Sequence, residues 1–224
     1  MRSRLVSTLA LSLTLSGAAL AQTHTINFDS LAIGTIVSNQ FTATTGATFS
    51  AGGLPTALGP NGAWATNTDL TAVSATGTDI GGFGAANGFT PPSGNLLRSF
   101  NGWLGENGDP VFTISFATPI TSFSATFTGI STPASTRIFA YNASNTQIGL
   151  IAASLTGTQR LSLAGLTNAT KVIITPGDFN DWVGVDDITF TLAAGSSAPE
   201  PGTLALLGLG IMPGVLIARR RRAS

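Results

Sequence analysis

The sequence contains no cysteine and only one histidine, His24. No disulfide can therefore stabilise the fold, and no thiol can act as a nucleophile or a metal ligand. A single imidazole near a chain end excludes most serine-hydrolase and metal-hydrolase sites, which need a histidine base or several histidine ligands. Between residues 22 and 198 there is also one glutamate, Glu106, whereas glycosidases need two placed carboxylates. We expect no enzyme, and a hydrolase built on Glu106 is the least favoured alternative.

The N-terminus has the pattern of an export signal. Arg2 and Arg4 precede an apolar stretch that ends at Leu15, and small residues follow as far as Ala19 and Ala21. A basic start, a short apolar run and an A-x-A cleavage site are typical of a secretory signal peptide. We predict that residues 1–21 are removed and that the mature chain begins at Gln22.

The C-terminus combines a short motif, an apolar segment and a basic cluster. The motif is Pro199, Glu200 and Pro201, the apolar segment runs over residues 203–218, and the basic cluster is Arg219, Arg220, Arg221 and Arg222. Its 16 uncharged residues fall short of the roughly 20 that cross a bilayer, but terminal arginines can snorkel and the bilayer can thin. We predict one short transmembrane helix with the arginines in the cytoplasm. A buried helix of a soluble protein is the alternative, but a core helix has no use for four adjacent arginines.

This order resembles the PEP-CTERM sorting signal of Gram-negative bacteria. The resemblance implies export, a transient stay in the inner membrane, and cleavage near Pro-Glu-Pro by exosortase, a membrane protease that passes the protein to the cell surface. Its partners would then be exosortase and the secretion machinery. The predicted organisation is a signal peptide over 1–21, one domain over 22–195 and a sorting signal over 196–224.

The exported body is weakly acidic. Residues 22–198 contain four basic and nine acidic side chains, a formal charge of −5. The basic footprint that nucleic acid requires is absent, so we exclude that class of partner. Thr, Ser, Asn, Gly and Ala dominate instead, which suits contact with neutral, hydroxyl-rich polymers, although any secreted β protein could have such a surface.

Alternating apolar residues predict an all-β body. The predicted strands are 25–28, 47–50, 111–116, 120–128, 137–142, 147–155, 159–163, 171–175 and 183–192, separated by turn residues every eight to twelve positions. Short strands with one apolar face favour a β-sandwich or jelly roll. Residues 51–95 are less regular, and we expect short edge strands there, anchored by Trp64 and Phe83.

A second resemblance concerns the two ends of the body. The opening residues 26–29 and the closing residues 183–190 look like the β-sandwich domains of PEP-CTERM proteins and, more distantly, the galactose-binding-like jelly rolls of carbohydrate-binding modules. The resemblance implies that the first and last strands lie together and that acidic residues there hold a structural calcium. Asp29, Asp186 and Asp187 are the candidate ligands, since calcium prefers carboxylate oxygens. The alternative is that one aspartate caps a turn and the other is solvated.

Two segments are candidate sugar sites. Asp178, Asp181 and Trp182 lie in an oxygen-rich loop, and Trp103 lies among glycines between strands. Tryptophan faces stack on sugar rings while aspartates accept from hydroxyls, but Trp182 could equally be folded into the core.

We therefore expect a non-catalytic surface or extracellular-matrix protein, sorted by exosortase and associated with extracellular polysaccharide or biofilm. The alternative is a lectin-like carbohydrate-binding module that uses Trp103 or Trp182.

Overall fold

A computed structural model describes residues 21–53, 62–75, 94–98, 107–178 and 183–195, all within one compact unit, Ala21–Ser196. The strands are β1 (Thr23–Ile26), β2 (Ala47–Ala51), β3 (Thr71–Ser74), β4 (Asn95–Arg98), β5 (Phe112–Ile130), β6 (Arg137–Asn142), β7 (Gln147–Ala152), β8 (Gly157–Leu163), β9 (Ala169–Thr175) and β10 (Gly184–Leu192). Two short helical turns accompany them, α1 (Thr42–Thr45) and a 3₁₀ turn at Pro133–Ser135. The predicted all-β class is confirmed.

The long strand β5 organises the sheet. Its first part, 112–116, pairs antiparallel with β2, and the same part pairs with β9, beyond which β6 and β7 follow. Its second part, 120–130, pairs with β10 on one side and with β8 on the other. The sequence predicts two strands here, which is wrong: the chain stays extended through Pro119, and the register with β9 and with β10 shifts beside it.

The core joins the two parts of β5. Five phenylalanines are fully buried: Phe28, Phe112, Phe123, Phe127 and Phe190. The ring of Phe116, from the first part, lies 4.8 Å from that of Phe190 on β10 and 6.3 Å from that of Phe123. Side chains from segments that do not pair with each other, the first part of β5 and β10, thus meet in one cluster. This arrangement is consistent with the predicted β-sandwich.

The first and last strands lie together, as the resemblance implied. β1 pairs antiparallel with β10, with Thr23 opposite Thr191 and Ile26 opposite Ile188. β10 therefore has β5 along one edge, and β1 and β4 along the other.

Short strands also occur between residues 51 and 95. β3 pairs with β4 at the far end of the sheet, and Ile36 forms an isolated bridge with Thr71. Arg98 on β4 makes an ion pair with Asp69 just before β3, at 2.7 Å. Trp64 bridges Asp109 and packs against the cluster of Val111, Phe139 and Ile173, whereas Phe83 lies outside the described residues.

Candidate functional site

The predicted targeting segments lie mostly outside the described residues. This holds for Ala19, for the Pro199–Pro201 motif, for the apolar segment 203–218 and for Arg219–Arg222, while Ala21 is described and exposed. Across 21–53, 62–75, 94–98, 107–178 and 183–195, no helix is both long and apolar enough to cross a membrane.

Asp186 and Asp187 lie at a bulge in β10. The pairing of β10 with β5 shifts in register between Asp186 and Thr189, and Asp187 has a positive φ of 48°. Both aspartates lie inside β10, at its third and fourth positions. Asp186 is only 2% exposed, whereas Asp187 is exposed. The left-handed residue lets two neighbouring aspartates differ in burial without interrupting the strand.

The buried carboxyl of Asp186 is poorly compensated. Its Oδ1 atom is buried and has no hydrogen-bond partner among the described residues. Burial raises the pKa of Asp186 to about 7; the Asp187 backbone N–H lowers it, and the charges of Asp187 and Asp29 raise it further. An isolated carboxylate is costly in such a place, so Asp186 is either protonated or neutralised by a cation.

Asp29 lies near this bulge but not on β1. It follows β1 by three residues, in a turn, and its Oδ1 accepts a 2.8 Å hydrogen bond from the backbone N–H of Asn95. The same carboxylate presses against Gly94, where an added Cβ would lie 2.8 Å from Asp29 Cγ. The prediction that Asp29 lies on the paired first strand is therefore wrong, although its charge still acts on Asp186.

The three predicted calcium ligands do not form a three-carboxylate site. No group of three His, Cys, Asp or Glu side chains within the described ranges is placed to hold a metal ion. Asp186 has an unpartnered buried oxygen, and the charge of Asp29 raises the pKa of Asp186, so these two carboxylates interact.

Of the four predicted sugar-binding residues, the structure describes one. Asp178 ends a described range and is partly buried. Trp103, Asp181 and Trp182 lie outside the described residues, so their roles stay predictions.

A plane of hydroxyl groups covers the outer side of β1, β10, β5 and β8. We call it the hydroxyl face, and its members are Thr23, Thr25, Ser122, Ser124, Thr126, Thr158, Arg160, Ser162, Thr189 and Thr191. They alternate along each strand with buried residues such as Phe123, Ala125 and Phe190, so they lie opposite the core. Hydroxyls of facing strands touch: Thr23 and Thr191 are 3.0 Å apart, and Thr25 and Thr189 are 3.2 Å apart.

Arg160 lies within this face and links three strands. Its Nη1 donates to Thr126 Oγ1 at 3.1 Å and to the Asp187 carbonyl at 3.0 Å. Its Nη2 donates to Ser124 Oγ at 2.7 Å and to Thr189 Oγ1 at 3.1 Å. The sequence analysis missed the face, although the T-x-T spacing at 23–25 and 189–191 and the S-x-S-x-T spacing at 122–126 signal it.

A shallow depression of about 520 Å³ lies elsewhere, lined by Pro119, Asn142, Ala143, Ser144, Thr167, Asn168 and Thr170. No aromatic side chain lines it, and Asn142 Oδ1 already accepts from the backbone N–H groups of Ser144 and Thr146. It lacks the stacking platform that a sugar-binding groove commonly uses.

Comparison with known families identifies the C-terminal segment. Residues 197–222 match the family model described as the PEP-CTERM protein-sorting motif. The tail is a PEP-CTERM sorting motif. Comparison with curated proteins finds no match.

Several solved structures are similar to the body. The K2 cleaved adhesin domain of Lys-gingipain is 14% identical, with a TM-score of 0.45, over 76% of this chain and 100% of that one. The K1 adhesin domain from Porphyromonas gingivalis is 10% identical, with a TM-score of 0.43, over 77% and 99%. Discoidin II from Dictyostelium discoideum is 11% identical, with a TM-score of 0.33, over 59% and 57%. A family 29 carbohydrate-binding module complexed with mannohexaose is 13% identical, with a TM-score of 0.31, over 65% and 92%.

Proposed function

We propose that the protein is a non-catalytic surface or extracellular-matrix protein, exported and then sorted by exosortase. The observation that carries this proposal is the PEP-CTERM match over residues 197–222. The signal peptide predicted at the N-terminus agrees with it. The apolar segment would hold the precursor in the inner membrane, with its arginines retained in the cytoplasm. Cleavage near Pro199–Pro201 would then release the body to the cell surface. The tail acts as an address rather than as a lasting anchor, much as a GPI signal does.

The mass of the mature protein tests the sorting step. We expect the surface fraction of the producing cell to contain a chain that begins at Gln22 and ends near the motif. The variant Glu200→Ala should accumulate in the membrane fraction with its arginines intact, whereas the neighbouring variant Ser197→Ala should be processed normally. Recovery of the full chain, with Arg219–Arg222 attached, as a water-soluble cytosolic protein would contradict the proposal.

We further propose that the body contacts extracellular polysaccharide through the hydroxyl face. Its members offer donors and acceptors on a single surface over four neighbouring strands, and Arg160 is the charged residue among them. Such a surface can exchange hydrogen bonds with the hydroxyls of a glycan and needs no deep pocket. A glycan array on the body distinguishes this from the lectin-like alternative, in which one sugar is bound selectively and binding is lost on Trp103→Ala. Glycan turnover that is abolished by Glu106→Gln would favour a hydrolase instead.

We also propose that a calcium ion stabilises the bulge in β10. Asp186 and Asp29 would hold it, and its charge would offset the buried carboxylate of Asp186. A ligand that binds only the folded state raises the melting temperature. We therefore expect calcium to raise the melting temperature at pH 8, chelator to reverse the change, and Asp186→Asn to abolish it. An unchanged midpoint in the wild-type body would rule out the ion.

A further inference from the structure

We propose that the hydroxyl face binds an acidic polysaccharide, and that the Arg160 cluster, consisting of Arg160, Ser124, Thr126 and Thr189, receives its carboxylate groups. This inference rests on the proposed function and names the chemical class of the glycan. It follows from three properties of the cluster: its uncompensated charge, its supply of donors and its fixed geometry.

Within the part of the chain that the structure describes, Arg160 has no carboxylate partner. Among the described residues no carboxylate lies within ion-pair distance of its guanidinium, and the recorded ion pair, Arg98 with Asp69, is elsewhere. Its four recorded hydrogen bonds go to three hydroxyls and one carbonyl, all of them neutral acceptors. An exposed guanidinium with only neutral partners keeps its full positive charge for a ligand.

Two of the three hydroxyls that accept from Arg160 keep a hydrogen to donate. Within the described part of the chain, Ser124 and Thr126 contact no polar partner other than Arg160, whereas Thr189 donates to the Asp187 carbonyl. A hydroxyl that accepts from a cation is polarised and becomes a stronger donor. The Arg160 Nε–H also meets no acceptor among the described residues, since its four hydrogen bonds come from Nη1 and Nη2. The cluster is therefore a set of donors around a cation, and an acceptor-only group such as a carboxylate complements it.

The geometry is fixed before binding. Arg160 is opposite Thr126 in the β5–β8 pairing, and Ser124 is opposite Ser162. Four hydrogen bonds hold the guanidinium against the strands, so little side-chain entropy is lost when a ligand arrives. One exposed contact between an arginine and a carboxylate is weak. A polymer carries many carboxylates, so several protein copies on one surface can bind the same polymer, and the overall binding strength increases.

Asp187 opposes this binding and supplies a sharp test. Its carbonyl accepts from Arg160, and its exposed carboxylate lies on the same bulge. Asparagine tolerates the left-handed backbone that Asp187 adopts, so Asp187→Asn should leave the fold intact. We expect it to strengthen binding about two- to fivefold, because it removes a competing negative charge.

The experiment uses the full processed chain, which contains the body. It measures binding to three polymers: polygalacturonate, neutral dextran and dextran sulfate. We expect polygalacturonate to bind, with an affinity that falls at least tenfold in Arg160→Gln and in the paired variant Ser124→Ala with Thr126→Val. Arg137→Gln is the matched control, since Arg137 is another partly exposed arginine, lies on β6 away from the face, and should change binding less than twofold. The formal charge of −5 disfavours unspecific attraction to polyanions, so this contrast is informative.

Each outcome has a defined meaning. The paired variant Ser124→Ala with Thr126→Val keeps the arginine, so a loss of binding in this variant does not depend on how the Arg160 variant folds. Melting curves of every variant show whether it is folded. Equal binding by wild type and Arg160→Gln overturns the inference. Binding of dextran as strong as that of polygalacturonate overturns it as well but leaves the proposed contact with polysaccharide standing. Preference for dextran sulfate with no dependence on Arg160 reveals unspecific charge binding and also overturns it. Failure to bind any polymer overturns both this inference and the polysaccharide part of the proposed function, while the sorting experiment remains a separate test.

Discussion

The substitution Asp186→Asn should stabilise the folded protein at pH 8 and leave its stability at pH 3.5 nearly unchanged. Burial, assisted by the charges of Asp187 and Asp29, raises the pKa of Asp186 from its ordinary value of 3.8 to about 7 in the folded state. Folding therefore favours the protonated carboxyl. The contribution of Asp186 to stability is therefore most favourable below about pH 3.8, falls as the pH rises, and levels off above about pH 7.

The size of the effect follows from the gap between these two pKa values. At about 1.4 kcal/mol for each pKa unit, the ionised carboxyl costs about 4 kcal/mol of the free energy of unfolding. The exposed neighbour Asp187 brings water close to the bulge, and screening by that water reduces the cost to about 2–3 kcal/mol. Asparagine has the same shape and no charge, so it should recover that amount at pH 8.

Urea unfolding of the body at both pH values, in the presence of chelator, measures this difference. Asp187→Asn is the comparison: it removes an exposed charge that only adds to the effect of burial on Asp186, so its gain at pH 8 should be much smaller than that of Asp186→Asn. The reasoning would be refuted if Asp186→Asn were no more stable than wild type at pH 8, or if the gain were the same at both pH values. Adding calcium at pH 8 should narrow the gap between the two proteins if the proposed ion is bound.

Three further predictions concern the sheet itself. Phe190→Ala should lower the free energy of unfolding by about 3–5 kcal/mol, because the ring is fully buried, while Leu155→Ala, at a side chain 62% exposed, should change it by less than about 0.5 kcal/mol; urea denaturation compares them. Leu150→Lys should reduce aggregation measured by light scattering. Leu150 is 51% exposed on β7, the second edge of β7 pairs with no described strand, and a lysine on such an edge hinders pairing with another molecule. Equal aggregation of the two proteins would contradict this. Gly184→Ala should cost about 1–3 kcal/mol in the same denaturation assay, because its Cβ would lie 2.8 Å from Leu96 Cδ1, and an unchanged midpoint would show that Leu96 moves aside freely.

The strands were largely predictable because one face of the sheet is buried. Alternating apolar residues gave β6 with the bounds that the structure has, and gave β10 to within one residue at its start. The division of β5 was wrong for a physical reason. Pro119 cannot donate to a ladder, but the strand pairs with β9 at Ser115 and again at Ile120, and Pro119 lies within the register shift between them.

The candidate sites were less predictable because they depend on contacts between distant segments. Alternation alone puts Asp186 and Asp187 on opposite sides of β10, but it does not reveal the bulge between Asp186 and Thr189. The proximity of Asp29 to Asp186 depends on the turn after β1 and on its bond to Asn95, 66 positions away. The hydroxyl face is present in the alternation itself, but serine and threonine are so common in this sequence that their spacing alone does not distinguish a binding surface from an ordinary solvent-exposed one.

The bulge in β10 connects the two proposals made for the body. A regular strand would place Asp186 and Asp187 on opposite sides and would keep the following threonines in step with β5. With one residue in the left-handed conformation, the Asp187 carbonyl reaches Arg160, while Asp186 is buried and Thr189 and Thr191 stay on the hydroxyl face. Loss of the bulge should therefore disturb both the cation site and the Arg160 cluster. Charge removal at Asp186 acts on stability and charge removal at Asp187 acts on binding, so the two neighbouring substitutions separate the two roles.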